Sequence, residues 1–538
     1  MFDTTRTTGR GPGAIVGLVA AGAALASAEV VGALLSRPSS APLLAVGDAV
    51  VDLTPQPVKQ FAIDTFGTAD KIALFVGMGV ILAGAAALLG AGAARRRWIG
   101  HVGIAAFAAV GLAAALTRPG SGILDTLPTL TGAAVCGTVL LWLLGAASRP
   151  AAAPSGREEA GPDGSDGTEH AEEEPRGFDR RRFTLLAGAA AVASAGAGTA
   201  ARLFSSSGAG VGLAREDVTL PRPASVAAPV PDGADLEIDG LASFFTPNED
   251  FYRIDTALSI PRVDASTWSL RVHGLGARER VYTYADLLAR DDLVERDITL
   301  ACVSNPVGGE YVGNARWIGV PLAALLEEAG VRPPADGGPA DQLVSRSDDG
   351  MTIGTPVADV MDGRDALIAI GMNGQPLPYD HGFPARMVVP GLYGYVSACK
   401  WIVDIELTTF DAFDAYWVPR GWSARGPIKT QSRIDTPRER ATVPAGTVTL
   451  AGVAWAQNTG IDRVEVRVDD GEWREAALAE EDTADTWRQW VHEWDAEPGE
   501  HRISVRATDR DGGTQTPDRA AVAPDGATGH HTIEVVVT

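Results

Sequence analysis

The residue whose type and setting most invite chemistry is Cys302, in the run Leu300-Ala301-Cys302-Val303-Ser304-Asn305-Pro306-Val307-Gly308-Gly309. It follows a strand-like run over 297–300 and enters a loop with paired glycines. Such a loop exposes a thiol and lets backbone approach a ligand closely. Three roles compete for it: a buried structural thiol, a catalytic nucleophile, or a soft thiolate ligand for a metal. A nucleophile needs a base, and His381 is the best candidate. The other cysteines, Cys136 in an apolar run and Cys399 beside Lys400, read as packed small residues. Three cysteines make neither a disulfide framework nor a four-thiolate zinc or iron–sulfur site. No Cys-x-x-Cys-His occurs, which excludes a covalently attached haem in this chain. A b-type haem between membrane helices would want two histidines, and the apolar runs offer only His101, which reads as interfacial. Electrons then go to or come from a separate carrier, a cytochrome or a quinone.

The elements that must position these groups fall into two textures. The 538 residues suggest three or four domains at roughly 150 residues each. Hydrophobic residues make up 46%, yet the formal net charge is −23. One globular domain does not reconcile those values, so an apolar part and an acidic part are expected. Acidity on this scale argues against a nucleic-acid partner, which needs a basic face to release counterions from phosphate. Five apolar runs, 13–35, 72–94, 99–117, 129–147 and 184–204, occupy the first 205 residues. A membrane helix needs about 20 apolar residues, and five in series predict an all-α transmembrane region. Arginines at Arg6 and Arg10, at Arg95, Arg96 and Arg97, at Arg149, and at Arg180, Arg181 and Arg182 fall on one side if the N-terminus is cytoplasmic. Everything after the fifth run is then outside the cytoplasm. The acid-rich stretch 150–175 reads as a disordered cytoplasmic linker. The sequence Asp179-Arg180-Arg181-Arg182-Phe183-Thr184-Leu185-Leu186 resembles a twin-arginine export signal, and reads equally as an arginine anchor at a helix end.

Beyond about 215 the chain turns to short strand-like runs with Gly and Pro punctuation. Strands are expected at 268–274, 297–300, 367–372 and 385–389, with short helices at 284–289 and 321–329, the latter opened by Pro321 and stopped by Gly330. This mixture is α+β. After a boundary near 428–445, alternating runs at 447–455, 461–468, 487–494, 502–508 and 532–537 predict an immunoglobulin-like β-sandwich, with Asp470-Gly471 as a hairpin turn. The expected plan is a four-helix transmembrane region (1–148), a linker (149–178), a fifth membrane helix (179–205) and a second linker (206–234). An oxidoreductase domain (235–427) and a sandwich (428–538) follow.

Longer motifs narrow the chemistry. Cys302 with Gly313-Asn314-Ala315-Arg316-Trp317-Ile318-Gly319-Val320-Pro321-Leu322 resembles the molybdenum-binding segment of the sulfite oxidase family. The run Met372-Asn373-Gly374-Gln375-Pro376-Leu377-Pro378-Tyr379-Asp380-His381-Gly382-Phe383-Pro384-Ala385-Arg386, then Val389-Pro390-Gly391 and Lys400-Trp401, resembles that family's pterin-phosphate region. Asn248-Glu249-Asp250-Phe251-Tyr252 is similar to its entry segment. The resemblance covers about 235–535, and the sandwich matches the family's dimerisation domain, which implies a homodimer. It implies a molybdenum cofactor, with Cys302 as the thiolate ligand of molybdenum and His381, Arg386 and Lys400 holding the pterin and its phosphate. Asn248, Tyr252 and Ser347 would be further cofactor contacts, and the chemistry implied is two-electron oxo transfer.

The departures bear on substrate. Sulfite-oxidising members surround the dianion with arginines, which suit forked, charge-assisted contacts. At the corresponding positions this chain has Val307 and Pro247, and 524–532 offers no arginine. Trp422 stands where the family has an active-site tyrosine. The reading is therefore a membrane-anchored molybdenum-cofactor oxidoreductase acting on a small extracytoplasmic substrate without the sulfite-binding arginines. A sulfoxide reductase of the same family is one alternative, and a non-catalytic membrane receptor or scaffold is another.

Overall fold

The computed structural model describes residues 10–35, 40–55, 58, 61, 65–66, 70–117, 121–147, 180–206 and 213–538. The acid-rich stretch, Arg6, Arg149 and the first residues of the second linker lie outside the described residues, as do the side chains of Arg10, Arg180, Arg181 and Arg182. The chain divides into two units, Met1–Gly210 and Val211–Thr538.

The first unit is helical: α1 (Arg10–Leu34), α2 (Pro42–Leu53), α3 (Asp70–Ala93), α4 (Arg97–Leu116), α5 (Leu127–Ala147) and α6 (Arg180–Ser206). Its sequence is rich in Ala and Gly, so backbones approach closely, and α1 packs against α3, α5 and α6. Where α1 meets α3, a Cβ on Gly17 or Gly90 would strike the opposing backbone. Small-residue contacts of this kind associate helices in lipid, where burial of apolar surface gives no net drive. Ile72, Val80, Ile81 and Leu88 of α3 point outward instead. Among the described residues four helices are long and apolar enough to cross a membrane, Pro12–Leu34, Ile72–Ala93, Arg97–Leu116 and Ile123–Ala146. The fifth expected run forms a helix, α6, in which Thr184–Gly196 is an apolar stretch among the described residues. Helix α2, absent from the expectations, begins on Pro42.

The second unit opens with irregular chain and then builds four sheets. The first has the order β2-β1-β10-β5-β6 and contains β1 (Ser269–Gly274), β2 (Arg280–Thr283), β5 (Gln342–Ser347), β6 (Thr352–Pro356) and β10 (Ile402–Thr408). The second has the order β3-β4-β7-β8, with β9 on β7: β3 (Val294–Ala301), β4 (Val312–Pro321), β7 (Leu367–Met372), β8 (Gln375–Pro376) and β9 (Arg386–Val388). Short helices α7 (Tyr284–Leu288) and α8 (Leu322–Glu328) stand where the sequence places them. Pro321 is the cap residue of α8 and not its first helical position, and Gly330, at φ +81°, closes its end. Strand β4 is the central element that alternation does not reveal. Nearly all of its residues are buried, and a strand covered on both faces shows no polar–apolar period.

The sandwich has one sheet ordered β11-β13-β17-β16: β11 (Gln431–Thr436), β13 (Gly446–Trp455), β16 (Ala477–Leu478) and β17 (Arg488–Ala496). The facing sheet is ordered β12-β19-β18-β14-β15: β12 (Thr442–Val443), β14 (Ile461–Val468), β15 (Arg474–Glu475), β18 (Gly499–Asp509) and β19 (His531–Val537). Between them lie Leu450, Val464, Trp490, Ile503 and Ile533.

The sandwich is bolted to the strand that leads to Cys302. Trp455 and Trp487 belong to the core of the α+β part, not to that of the sandwich. The Trp487 backbone N–H donates to Thr299 Oγ1 at 2.7 Å, and its indole N–H to the Phe244 carbonyl at 2.9 Å. Gln457 Nε2 donates to the Thr299 carbonyl at 2.8 Å, and the Thr299 N–H donates to the Asp485 carbonyl at 2.9 Å. Trp487→Ala removes a buried indole and one of the two hydrogen bonds that the Phe244 carbonyl accepts. It is expected to cost about 3–5 kcal/mol, read as a fall in the Tm of detergent-solubilised protein. An unchanged Tm would show that the sandwich carries no load on β3.

Candidate active site

Strand β3 delivers Cys302 at its end, where the chain must turn into the loop that returns as β4. The Cys302 N–H donates to the Tyr311 carbonyl at 2.9 Å, the Asn305 N–H to the Cys302 carbonyl at 3.1 Å, and the Tyr311 N–H to Asn305 Oδ1 at 2.9 Å. The sandwich completes this loop. Arg433 Nη1 donates to the Gly309 carbonyl at 3.1 Å. The His531 ring lies against Gly308, which sits at φ +77° with no room for a Cβ. The thiol is held within a rigid turn. Contrary to the exposed position that the paired glycines suggest, Cys302 is only 7% exposed. Burial pushes its thiol pKa up, while the Ser304 hydroxyl at 2.9 Å and the charge of Lys400 pull it down.

The second motif folds beside it. The His381 ring is buried, and its Nε2 donates to the Asn248 carbonyl at 2.9 Å. Burial lowers its pKa to about 4, so the ring is neutral near pH 7 and Nδ1 is its acceptor. The Cys–His nucleophile pair entertained from the sequence is not formed, since Cys302 Sγ bonds Ser304. Arg386 opens β9 and is 5% exposed. Its guanidinium lies over the Trp317 ring at 5.1 Å and reaches the carbonyls of His381 at 3.3 Å and Ala398 at 3.5 Å. Its Nε has no hydrogen-bond partner, and among the described residues no carboxylate pairs with it. Burial drags its pKa down to about 10. Lys400 Nζ lies 2.8 Å from Asp255 Oδ2 and donates to the Asp380 carbonyl at 3.0 Å, and burial lowers its pKa to about 8.

The entry segment lies across these groups. Asn248 Oδ1 accepts from Asn373 Nδ2 at 2.9 Å. Tyr252 stacks on Phe251 at 5.2 Å between centroids. Burial, then the neighbouring Cys302, raises the Tyr252 pKa while Arg386 lowers it, so its phenol stays protonated. Asn248, Tyr252, Cys302, His381, Arg386 and Lys400 therefore converge. Ser347 and Trp422 have other hydrogen-bond and packing partners. The Ser347 hydroxyl bonds Asp349 and the Met351 carbonyl inside the β5–β6 turn, and Asp349 in turn accepts from Thr256 at 3.4 Å. Trp422 packs on Tyr395 and Trp417 at 5.9 and 6.3 Å.

Asp255, Trp317 and Tyr393 are part of this constellation and were not anticipated. Tyr393 is buried within electrostatic reach of Cys302, its pKa pushed up to about 12 chiefly by that burial. A signal for Asp255 was in the sequence: an acid three residues after Tyr252, directly beyond the entry motif. No alternation or spacing marks the other two. The cation that bonds the Cys302 loop, Arg433, is already neutralised by Asp435 at 2.5 Å, and Lys429 is paired with Asp525 at 2.9 Å. Val307 and Pro247 offer no charge in their place.

A pocket with a buried thiol and a buried cation lacking a counterion calls for a soft metal and an anionic group together. Arg386, with an unbonded Nε, fits a phosphate, which accepts forked, charge-assisted hydrogen bonds. Comparison with known proteins agrees with that chemistry. Residues 257–417 match the oxidoreductase molybdopterin binding domain, and residues 431–535 match the bacterial Ig domain. The unit is thus a molybdopterin-binding oxidoreductase domain joined to an Ig-like domain of β-sheets. Mitochondrial sulfite oxidase of Mus musculus is 30% identical over 321 residues, covering 52% of this chain and 58% of the relative. Sulfite oxidase of Gallus gallus is 31% identical over 287 residues, 46% and 61% of the two chains. Nitrate reductase [NADH] 1 of Oryza sativa is 28% identical over 317 residues, 48% and 34%. The chain spans about three fifths of the length of the sulfite oxidases it matches. It carries a molybdopterin-binding oxidoreductase domain similar to that of the sulfite oxidases, and that domain implies a molybdenum cofactor.

Arg386→Met separates binding from folding. It removes an unpaired buried charge, so the cofactor-free protein is expected to gain on the order of 1–4 kcal/mol in chemical denaturation. The same variant should emerge from purification without molybdenum. A loss of cofactor-free stability would mean that the guanidinium is structural.

Proposed function

We propose that this chain is a membrane-anchored oxidoreductase that performs two-electron oxo transfer on a small extracytoplasmic substrate. The observation that carries the reading is the pairing, in one pocket, of the buried Cys302 thiol with the buried, unneutralised Arg386. Cys302 would be the only protein ligand of molybdenum. Arg386, Lys400 and His381 would hold the pterin and its phosphate, with Asn248, Tyr252 and Ser347 as further cofactor contacts and Trp422 in the substrate pocket. When bound, the cofactor supplies the oxo-transfer chemistry. The chain supplies the rest: a fixed thiolate, charge for the phosphate, and phenols at Tyr252 and Tyr393 held protonated to donate a hydrogen bond to a substrate oxygen. Neutralised cations around the Cys302 loop favour a substrate of low charge over sulfite, which is why a sulfoxide reductase is the second reading.

The remaining assignments belong to the same proposal. Five membrane helices with a cytoplasmic N-terminus would put the catalytic unit outside. Trp98 and Trp142, 58% and 52% exposed near the arginine-flanked helix ends, suit interfacial anchors. The outer boundaries, 149–178 and 206–234 as linkers, 235–427 and 428–538 as soluble domains, follow the sequence. The sandwich would pair two copies, and a separate cytochrome or quinone would exchange the electrons.

The test is molybdenum per chain in detergent-purified protein, wild type beside Cys302→Ala, from a host that makes the cofactor. About one molybdenum per wild-type chain is expected. Its EPR signal should respond more strongly to a sulfoxide than to sulfite. Well-folded wild type without molybdenum would sink the enzyme reading, and a stronger response to sulfite would overturn the substrate assignment.

A further inference from the structure

The entry segment reaches the pocket without strand pairing, held by side-chain ties. The Thr246 N–H donates to the Asn314 carbonyl at 2.8 Å, and Asn373 Nδ2 donates to the Thr246 carbonyl and to Asn248 Oδ1, each at 2.9 Å. His381 Nε2 donates to the Asn248 carbonyl at 2.9 Å. Thr256 Oγ1 donates to Asp349 at 3.4 Å. Among these ties one is an ion pair, Asp255 to Lys400 at 2.8 Å, with side chains 3% and 8% exposed. Asp255 also takes Arg253 Nε at 2.8 Å.

A carboxylate beside an anion-binding pocket repels the ligand unless it does something for the cation. Here it orients it. An ammonium has three N–H donors, and two are engaged, on Asp255 and on the Asp380 carbonyl. Lys400 Nζ lies 5.0 Å from the Trp401 ring centroid, and with two donors fixed the third has one direction left. Asp380 immediately precedes His381, which places the ammonium in the same motif as the buried Arg386. The two cations repel each other, and an unpaired lysine at this burial would swing outward or shed its proton.

We propose that Asp255 is a positioning residue of the cofactor pocket: it fixes the Lys400 ammonium for the pterin-phosphate group and thereby locks the entry segment onto the second motif. The inference rests on the cofactor reading above. It assigns to the entry segment a role in retention as well as contact, carried by a residue outside the two motifs. Outer partners that orient binding groups typically contribute about 10- to 100-fold to affinity.

The experiment is a double-mutant cycle on the full chain, read as the rate of pterin release from purified protein, by fluorescence of the oxidised pterin, and as molybdenum per chain. Asp255→Asn and Lys400→Met are each expected to speed release roughly tenfold, and Asp255→Asn/Lys400→Met no more than Lys400→Met alone. A purely structural carboxylate would instead give effects that multiply. The double variant carries neither charge, so it stays informative where Asp255→Asn, with an orphaned ammonium, fails to fold. Asp255→Glu should restore part of the retention. Release at the wild-type rate from Asp255→Asn, or independent effects in the cycle, overturns the proposal. Absence of molybdenum from the wild type would instead overturn the cofactor reading on which it rests, so the two failures are distinguishable.

Discussion

The constraint on which the catalytic unit depends is the burial of a guanidinium without a counter-charge. Arg386 lies under Trp317 and beside His381, with its Nε unbonded. A buried arginine normally carries a carboxylate, because taking an ion out of water costs several kcal/mol even after relaxation. No local benefit explains its retention here. The cost is offset only when an anion enters, so the pocket is built for a bound state. Folding and loading are in this sense linked: an anion that binds the folded chain alone stabilises it by mass action.

Holding such a site in tension requires stiff surroundings, and the Ig-like domain provides part of them. Thr299 and Asn314 are fully buried, and Thr299 lies three residues before Cys302. Its hydroxyl donates to Asn314 Oδ1 at 3.0 Å while accepting from the Trp487 N–H. Phe244, at the start of the entry segment, receives both the Trp487 indole N–H and Asn314 Nδ2 at 2.9 Å. One small network therefore joins the sandwich, the thiol-bearing strand and the strap across the pocket. Arg433 and His531 repeat the arrangement on the far side of the Cys302 loop. A sandwich that served only to pair two copies would need none of these contacts.

How far the sequence reveals this depends on the kind of signal. Alternation made the inner strands of the sandwich plain but not its edge strands β11, β12, β15 and β16, and a proline and a glycine marked α8. Long motifs named Cys302, His381, Arg386 and Lys400, which the structure then brings together. Burial on both faces hid β4, and hydrogen-bond partners distant in sequence hid Trp317 and Asp255. Ser347 was read across a loop, and its hydroxyl bonds within the β5–β6 turn.

Charge around the mouth decides which substrates the proposed chemistry can serve. A dianion needs several donors that keep their charge, and a positive field that is not already spent. Arg433 is committed to Asp435 and to the Gly309 carbonyl, and Lys429 to Asp525 and the Gly526 carbonyl. Freeing Arg433 would break a hydrogen bond that shapes the Cys302 loop. The phenols of Tyr252 and Tyr393 are raised well above neutrality by burial, so they present donors without charge. Such a site can polarise an S–O or N–O dipole, and it gives a small dianion little reason to leave water. The same residues that make the loop rigid therefore set the polarity of what it can accept.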